Sequence, residues 1–171
     1  MLINNEDFDA SKNKEVLLMS HVSQKGMQMG SLVSLVVALP VLGVRGRLSA
    51  ENVLRWTSSG ILIGTVASTA LGLFKMSKLE PEGIEDRAYR LHFNEGQNRV
   101  DSFAHVGALV GAGVTLAAKQ LHVGPSTLSS SSTWRAALGG AAVGVGLAVL
   151  THIATSKGSK RPNAMIEELK S

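Results

Sequence analysis

Apolar residues along this chain gather into four runs separated by polar connections, at about Met27 to Val44, Trp56 to Phe74, Phe103 to Leu121 and Ala136 to Thr155. Gly26 to Val44 and Trp56 to Phe74 contain no charged residue at all. A helix of about 20 residues crosses a bilayer core of about 30 Å, whereas a water-facing helix of that length would show a polar stripe at the 3.6-residue period. Here no such stripe runs along the helices, and the polar residues are mostly scattered Ser and Thr, whose hydroxyls can bond carbonyls of their own helix. The pattern predicts an all-α fold, an integral membrane four-helix bundle of short Gly-rich transmembrane helices. Spans are expected at 27–44, 56–74, 103–121 and 136–155, with a polar helical connection over 75–102, in one membrane domain covering 1–171.

Small residues recur at every fourth position inside the runs. Gly26, Gly30, Ser34 and Ala38 mark the first, Gly60, Gly64, Ser68 and Gly72 the second, and Ala136, Gly140, Gly144 and Ala148 the fourth. In the third, Ala104, Ala108 and Ala112 run beside Gly107 and Gly111. Lipid tails are as apolar as leucine, so no hydrophobic force draws spans together in a bilayer; close approach and dispersion must do it, and small residues permit that approach. Gly30, Gly60, Gly64, Gly107, Gly111, Gly140 and Gly144 are therefore the expected helix-packing positions.

The connections differ in kind. Residues 45–55 suit a tight helical hairpin, and Pro40 should kink or end the first helix near its far side. Asp9 or Ser11 is the expected N-cap of that helix. The linker HVGPSTLSSSSTWR has the composition of a flexible loop. The long polar stretch 75–102 turns at Pro81 and Gly83 and then reads as helix, with Asp86 four before Arg90 and Glu95 four before Arg99. Pairs of that kind stabilise an exposed helix by only about 0.2–0.5 kcal/mol each. Arg87, Arg90, Glu95 and Arg99 exceed that need and are the expected contacts to a partner or to lipid headgroups.

Net charge of +4 sits in the connections and tails and reports on topology, not on nucleic acid, because the basic residues are not interleaved with aromatics. No cysteine is present, which removes thiolate nucleophiles and thiolate metal sites. His92, Glu95, Asp101 and His105 match no zinc or calcium spacing. No nucleophile elbow surrounds Ser129 to Thr133, and no phosphate-binding glycine pattern follows a strand. No Asp, Glu or Arg falls within a span, where pumps and carriers usually hold an ionisable relay. The reading is of a non-catalytic protein with no cofactor.

The segment Glu85 to Asp101, EDRAYRLHFNEGQNRVD, leading into a Gly-rich span, resembles a small uncharacterised eukaryotic membrane-protein family. The plan of four short Gly-rich spans is similar to that of the mitochondrial preprotein translocase family, which includes an accessory subunit of respiratory complex I. The resemblance implies a multi-pass protein of the mitochondrial inner membrane, an accessory subunit of a respiratory complex, with the other subunits and phospholipids as partners. A small translocase or transporter component is the second expectation.

If all four spans cross, the N-terminal segment, the 75–102 connection and the tail share one side and hold 12 Lys and Arg, against 5 opposite. That side should face the cytoplasm or the mitochondrial matrix. Single cysteines at Ser11, Asn94 and Ser159 should then be labelled or protected together by a membrane-impermeant thiol reagent. Mixed labelling would exclude four crossings.

Overall fold

Five helices carry the described part of the chain, which in this computed structural model comprises residues 12–125, 128 and 131–156. The expected caps Asp9 and Ser11, the middle of the Ser-rich linker and the tail from 157 lie outside those residues. In chain order the helices are α1 (Lys14–Val44), α2 (Ala50–Met76), α3 (Pro81–His92), α4 (Glu95–Gln120) and α5 (Thr133–Ser156), and no strand occurs among the described residues. α1, α2, α4 and α5 have 31, 27, 26 and 24 residues and are long and apolar enough to cross a membrane. Four such helices are consistent with a multi-pass membrane protein. Each exceeds the roughly 20 residues that a crossing requires.

Local chemistry sets the helix ends. Asn13 precedes α1 in the left-handed region, with φ 56° and no side-chain cap; Asn is one of the few residues that accepts this conformation. α1 continues through Pro40 and stops at Gly46, whose φ of 62° suits glycine. The bond that Pro40 cannot donate falls in the last turns, where its loss matters least. Ser49 caps α2 by accepting from the Asn52 amide at 3.3 Å. Pro81 opens α3, a position where a missing N–H costs nothing.

The 75–102 connection is not one helix. Asn94 accepts from the Gln97 amide at 3.1 Å and restarts the chain as α4, so Glu95 to Ser102 form the first two turns of a long apolar helix. Arg90 and Glu95, neighbours in the sequence pattern, therefore sit on different helices.

α1 pairs antiparallel with α2, and α4 with α5; α5 also packs on both α1 and α2 and so occupies the axis. The start of α1, the end of α2, the start of α4 and the end of α5 lie at one end of the bundle. Lys14 on α1 reaches Glu85 on α3 at 3.1 Å, and Phe103 on α4 meets the His152 ring on α5 at 5.6 Å between centroids. At the other end Thr57 on α2 donates to the Gly139 carbonyl on α5 at 3.3 Å.

The interior is made of small side chains. Ala38, Ala104, Ala136, Ala142, Val145, Ser31 and Thr57 have no exposed surface. Buried hydroxyls are mostly absorbed by their own helices: Thr57 lies 2.9 Å from the Val53 carbonyl, Ser58 3.0 Å from Arg55 and Ser34 3.0 Å from Ser31. Such bonds remove the cost of burying a hydroxyl without opening the backbone to water.

Candidate functional site: glycine seams and an interfacial charge cluster

The expected packing glycines fall into two groups, one in each helix pair. On the α1–α2 seam, a methyl group built on Gly64 would lie 2.7 Å from the Gly30 Cα, and one on Gly60 would lie 2.8 Å from the Gly30 carbonyl oxygen. On the α4–α5 seam, a methyl on Gly107 would lie 2.7 Å from the Ala148 Cβ and one on Gly111 3.0 Å from the Gly144 Cα. Gly140 faces Thr115 and Gly111, and Gly144 faces Gly107. Carbon atoms pack at about 3.5–4.0 Å, so at these positions no side chain fits between the backbones. Gly26 repeats the arrangement against Gly64 and Ser68.

Side-chain hydroxyls reinforce both seams. Ser23 and Thr69 bond across α1–α2 at 2.7 Å. Thr115 lies 2.8 Å from the Gly111 carbonyl of its own helix and 2.9 Å from the Ala136 carbonyl of α5, sharing its single proton between them.

The four expected docking residues are all exposed but are not gathered into one site. Arg90 pairs with Asp86 one turn away on α3. Arg99 lies over the Phe103 ring, 5.7 Å from its centroid, rather than on Glu95. Arg87 lines a groove between α1 and α2. Glu95 stands in the first turn of α4.

A cluster not foreseen from the sequence joins α4 to α1. Asp101 accepts from Lys25 Nζ at 2.6 Å and from Gln28 Nε2 at 2.8 Å, and its second oxygen lies 3.5 Å from His21 Nδ1. Lys25 also donates to the Gln28 Oε1 at 3.0 Å. The Asp101 and Lys25 side chains are only 15% and 28% exposed, so water screens this pair less than the surface pairs. Lys25 precedes the first expected span by two residues and Asp101 precedes the third by two. Both lie at the basic-rich end, which is the one signal in the sequence that could have coupled them. Asp101 thus faces α1, away from His92 and Glu95; among the described residues no three His, Asp or Glu side chains converge as a metal site would require.

An all-α chain with four helices able to span a bilayer, locked by glycine seams and one interfacial charge cluster, is the class that this arrangement defines. Within it, the chain belongs to a family of proteins of unknown function, DUF1757, whose profile matches residues 4–155. No protein with a curated description matches it. Membership in an uncharacterised family accords with the resemblance carried by Glu85 to Asp101; the likeness to the translocase family gains no relative from it.

Two outcomes test the geometry. Gly107→Ile or Gly111→Ile should push α5 from α4 and destabilise the bundle by about 1–3 kcal/mol, the usual cost of forced overpacking. Leu109→Ile, at a position 76% exposed, should change little. SDS titration of the protein in bicelles measures both, and equal midpoints for all three variants would refute the close-packed seam. In the same assay Asp101→Asn should cost about 1–3 kcal/mol by leaving the Lys25 ammonium without its counter-charge. The double change Lys25→Met with Asp101→Leu should recover part of that loss, as apolar replacements of buried pairs often do.

Proposed function

We propose that this protein is a non-catalytic accessory subunit that stabilises a large assembly of the mitochondrial inner membrane, a respiratory complex and, by the likeness of its plan to the translocase family, complex I. The observation that carries the reading is the outer side of α4. Only Ala104 of this helix is buried; Val110 and Val114 flank the groove beside its glycine seam, while Val106 and Leu109 stand exposed on the side away from it. Gly113 on the same side meets nothing within 4 Å, a side-chain-free position that the chain's own packing does not use. The exposed polar turns with Glu95 and Arg99 belong to the same helix. One helix thus offers a partner an apolar membrane face and a charged interfacial end, where charge-assisted bonds are stronger than surface pairs.

A translocase or transporter needs a polar passage along the bundle. The axis of this bundle is filled by α5, with Ala142 and Val145 fully buried and Val145 clustered with Ala104 and Val149. That packing favours a structural part over a conducting one.

Blue-native electrophoresis of mitochondria tests the reading. Co-migration with a respiratory complex is expected, and a small separate species would favour the translocase or transporter alternative. Glu95→Gln with Arg99→Gln should reduce incorporation into the assembly several-fold and leave membrane insertion intact. Unchanged incorporation would assign those side chains to solvent.

A further inference from the structure

The lipid-facing side of the α1–α2 seam is a trough. A groove of about 360 Å³ lies at the basic-rich end, walled by Leu18, Val22, Leu71 and Leu79 over Gly26 and Gly72. His21, Lys25, Lys75 and Arg87 stand among its lining residues, and no Asp or Glu does. These side chains come from three elements: His21 and Lys25 from α1, Lys75 from the last turn of α2 and Arg87 from α3. Lys25 is committed to Asp101 and Gln28. Lys75 and Arg87 are exposed, and neither has a hydrogen bond or ion pair among the described residues. Glu85, the acidic neighbour on α3, bonds Lys14 instead.

Met29 joins this groove to a second of about 600 Å³ that continues down the same seam over Gly30, Gly60 and Gly64, with Val33 and Ile63 beside them. Glycines that bring the two backbones together also leave nothing on the outer surface to fill the valley between the helices. Half of a bilayer core is about 15 Å thick, a depth that a helix covers in about ten residues. Starting from Lys25, that depth reaches the level of Ser34 and Gly60, and the second groove continues beyond it to Arg55 and Trp56, so the trough is longer than one leaflet is thick.

We propose that this trough holds one anionic glycerophospholipid, its phosphate between Lys75 and Arg87 and an acyl chain laid along the glycine seam from Gly26 to Gly60. A zwitterionic lipid would fill the valley equally well but would leave the two unpaired cations without net counter-charge. The inference rests on the helices crossing a bilayer, and it is independent of whether the protein joins a respiratory complex.

Native mass spectrometry of the full chain, released from detergent after incubation with phosphatidylglycerol or phosphatidylcholine, tests it. One phosphatidylglycerol should be retained at least tenfold more strongly than phosphatidylcholine, a comparison that needs no variant. Lys75→Gln with Arg87→Gln should lower retention about 10- to 30-fold, the change expected when two cations leave an anionic headgroup. Lys75→Arg with Arg87→Lys should restore it, and Arg45→Gln with Arg47→Gln, at the other end of the bundle, should leave it unchanged. Equal retention of the two lipids, or full retention by the Gln variant, would overturn the proposal while leaving membrane insertion in place. Extraction of the protein from membranes by alkaline carbonate would overturn the bilayer reading and this one together.

Discussion

Backbone-to-backbone contact through glycine is the constraint on which the rest of this fold depends. In water a helix pair is held by the burial of its apolar face, but in a bilayer that face is already solvated by hydrocarbon. What remains is dispersion between atoms brought close, and a gap of 0.5–1 Å already forfeits about a quarter to a half of each contact. Glycine facing glycine removes that gap, which is why Gly30 meets Gly60 and Gly64 while Gly107 and Gly111 meet Gly144 and Gly140. The two hairpins solve the same problem in the same way. Helix α5 then extends the solution to the whole unit, since its Gly139 lies against the Leu54 backbone of α2 and its Gly146 against Leu35 of α1.

Such seams set distance well and azimuth poorly, because a glycine surface is smooth. α4 is attached chiefly through α5, and little fixes its placement relative to α1. The Asp101 cluster does that. It ties α4 to α1 through two short bonds and an imidazole at the interfacial end, where the pair keeps partial access to water. Charge pairs of this type contribute less to net stability than their short distances suggest, because desolvation opposes the Coulomb gain. Their benefit here is orientation: only one rotation of α4 presents Asp101 to Lys25 and Gln28.

The four long helices were legible because charge is nearly absent from the apolar runs, and the helix bodies fall where those runs lie. The ends were less legible. α1 begins at Lys14, close to the start that a cap at Ser11 implies, and its first turns are a polar extension that packs on α3, but the break inside the 75–102 connection was missed. The break at Phe93 and Asn94 carried a signal, Asn followed three residues later by Gln at a helix start, but helical charge spacing on both sides of it masked the signal. That spacing also misled about Glu95 and Arg99, because Phe103, one turn beyond Arg99, offers a ring face that competes for the guanidinium. The partners of Asp101 lie 76 and 73 positions away, and no local pattern reaches that far.

Glycine at a helix seam has two faces, and the two readings of this protein come from opposite sides of the same choice. Toward the partner helix it admits a backbone, and toward lipid it exposes a valley that no side chain of the chain can fill. On the α1–α2 hairpin the valley ends beneath Lys75 and Arg87, which gives lipid a charge to recognise as well as a surface to cover. On α4 the glycine row faces α5, Val110 and Val114 border the groove along that row, and the far side carries Val106 and Leu109 beside the unused Gly113. On that far side the shape is a ridge with a notch, which suits the partner helix that we propose for it, while the seam itself keeps a groove of about 520 Å³. The two hairpins, built on one packing device, both leave an apolar groove along the seam, and the one on α1–α2 alone has Lys and Arg among its lining residues; that difference is why we propose an anionic lipid there and a partner helix for the far side of α4.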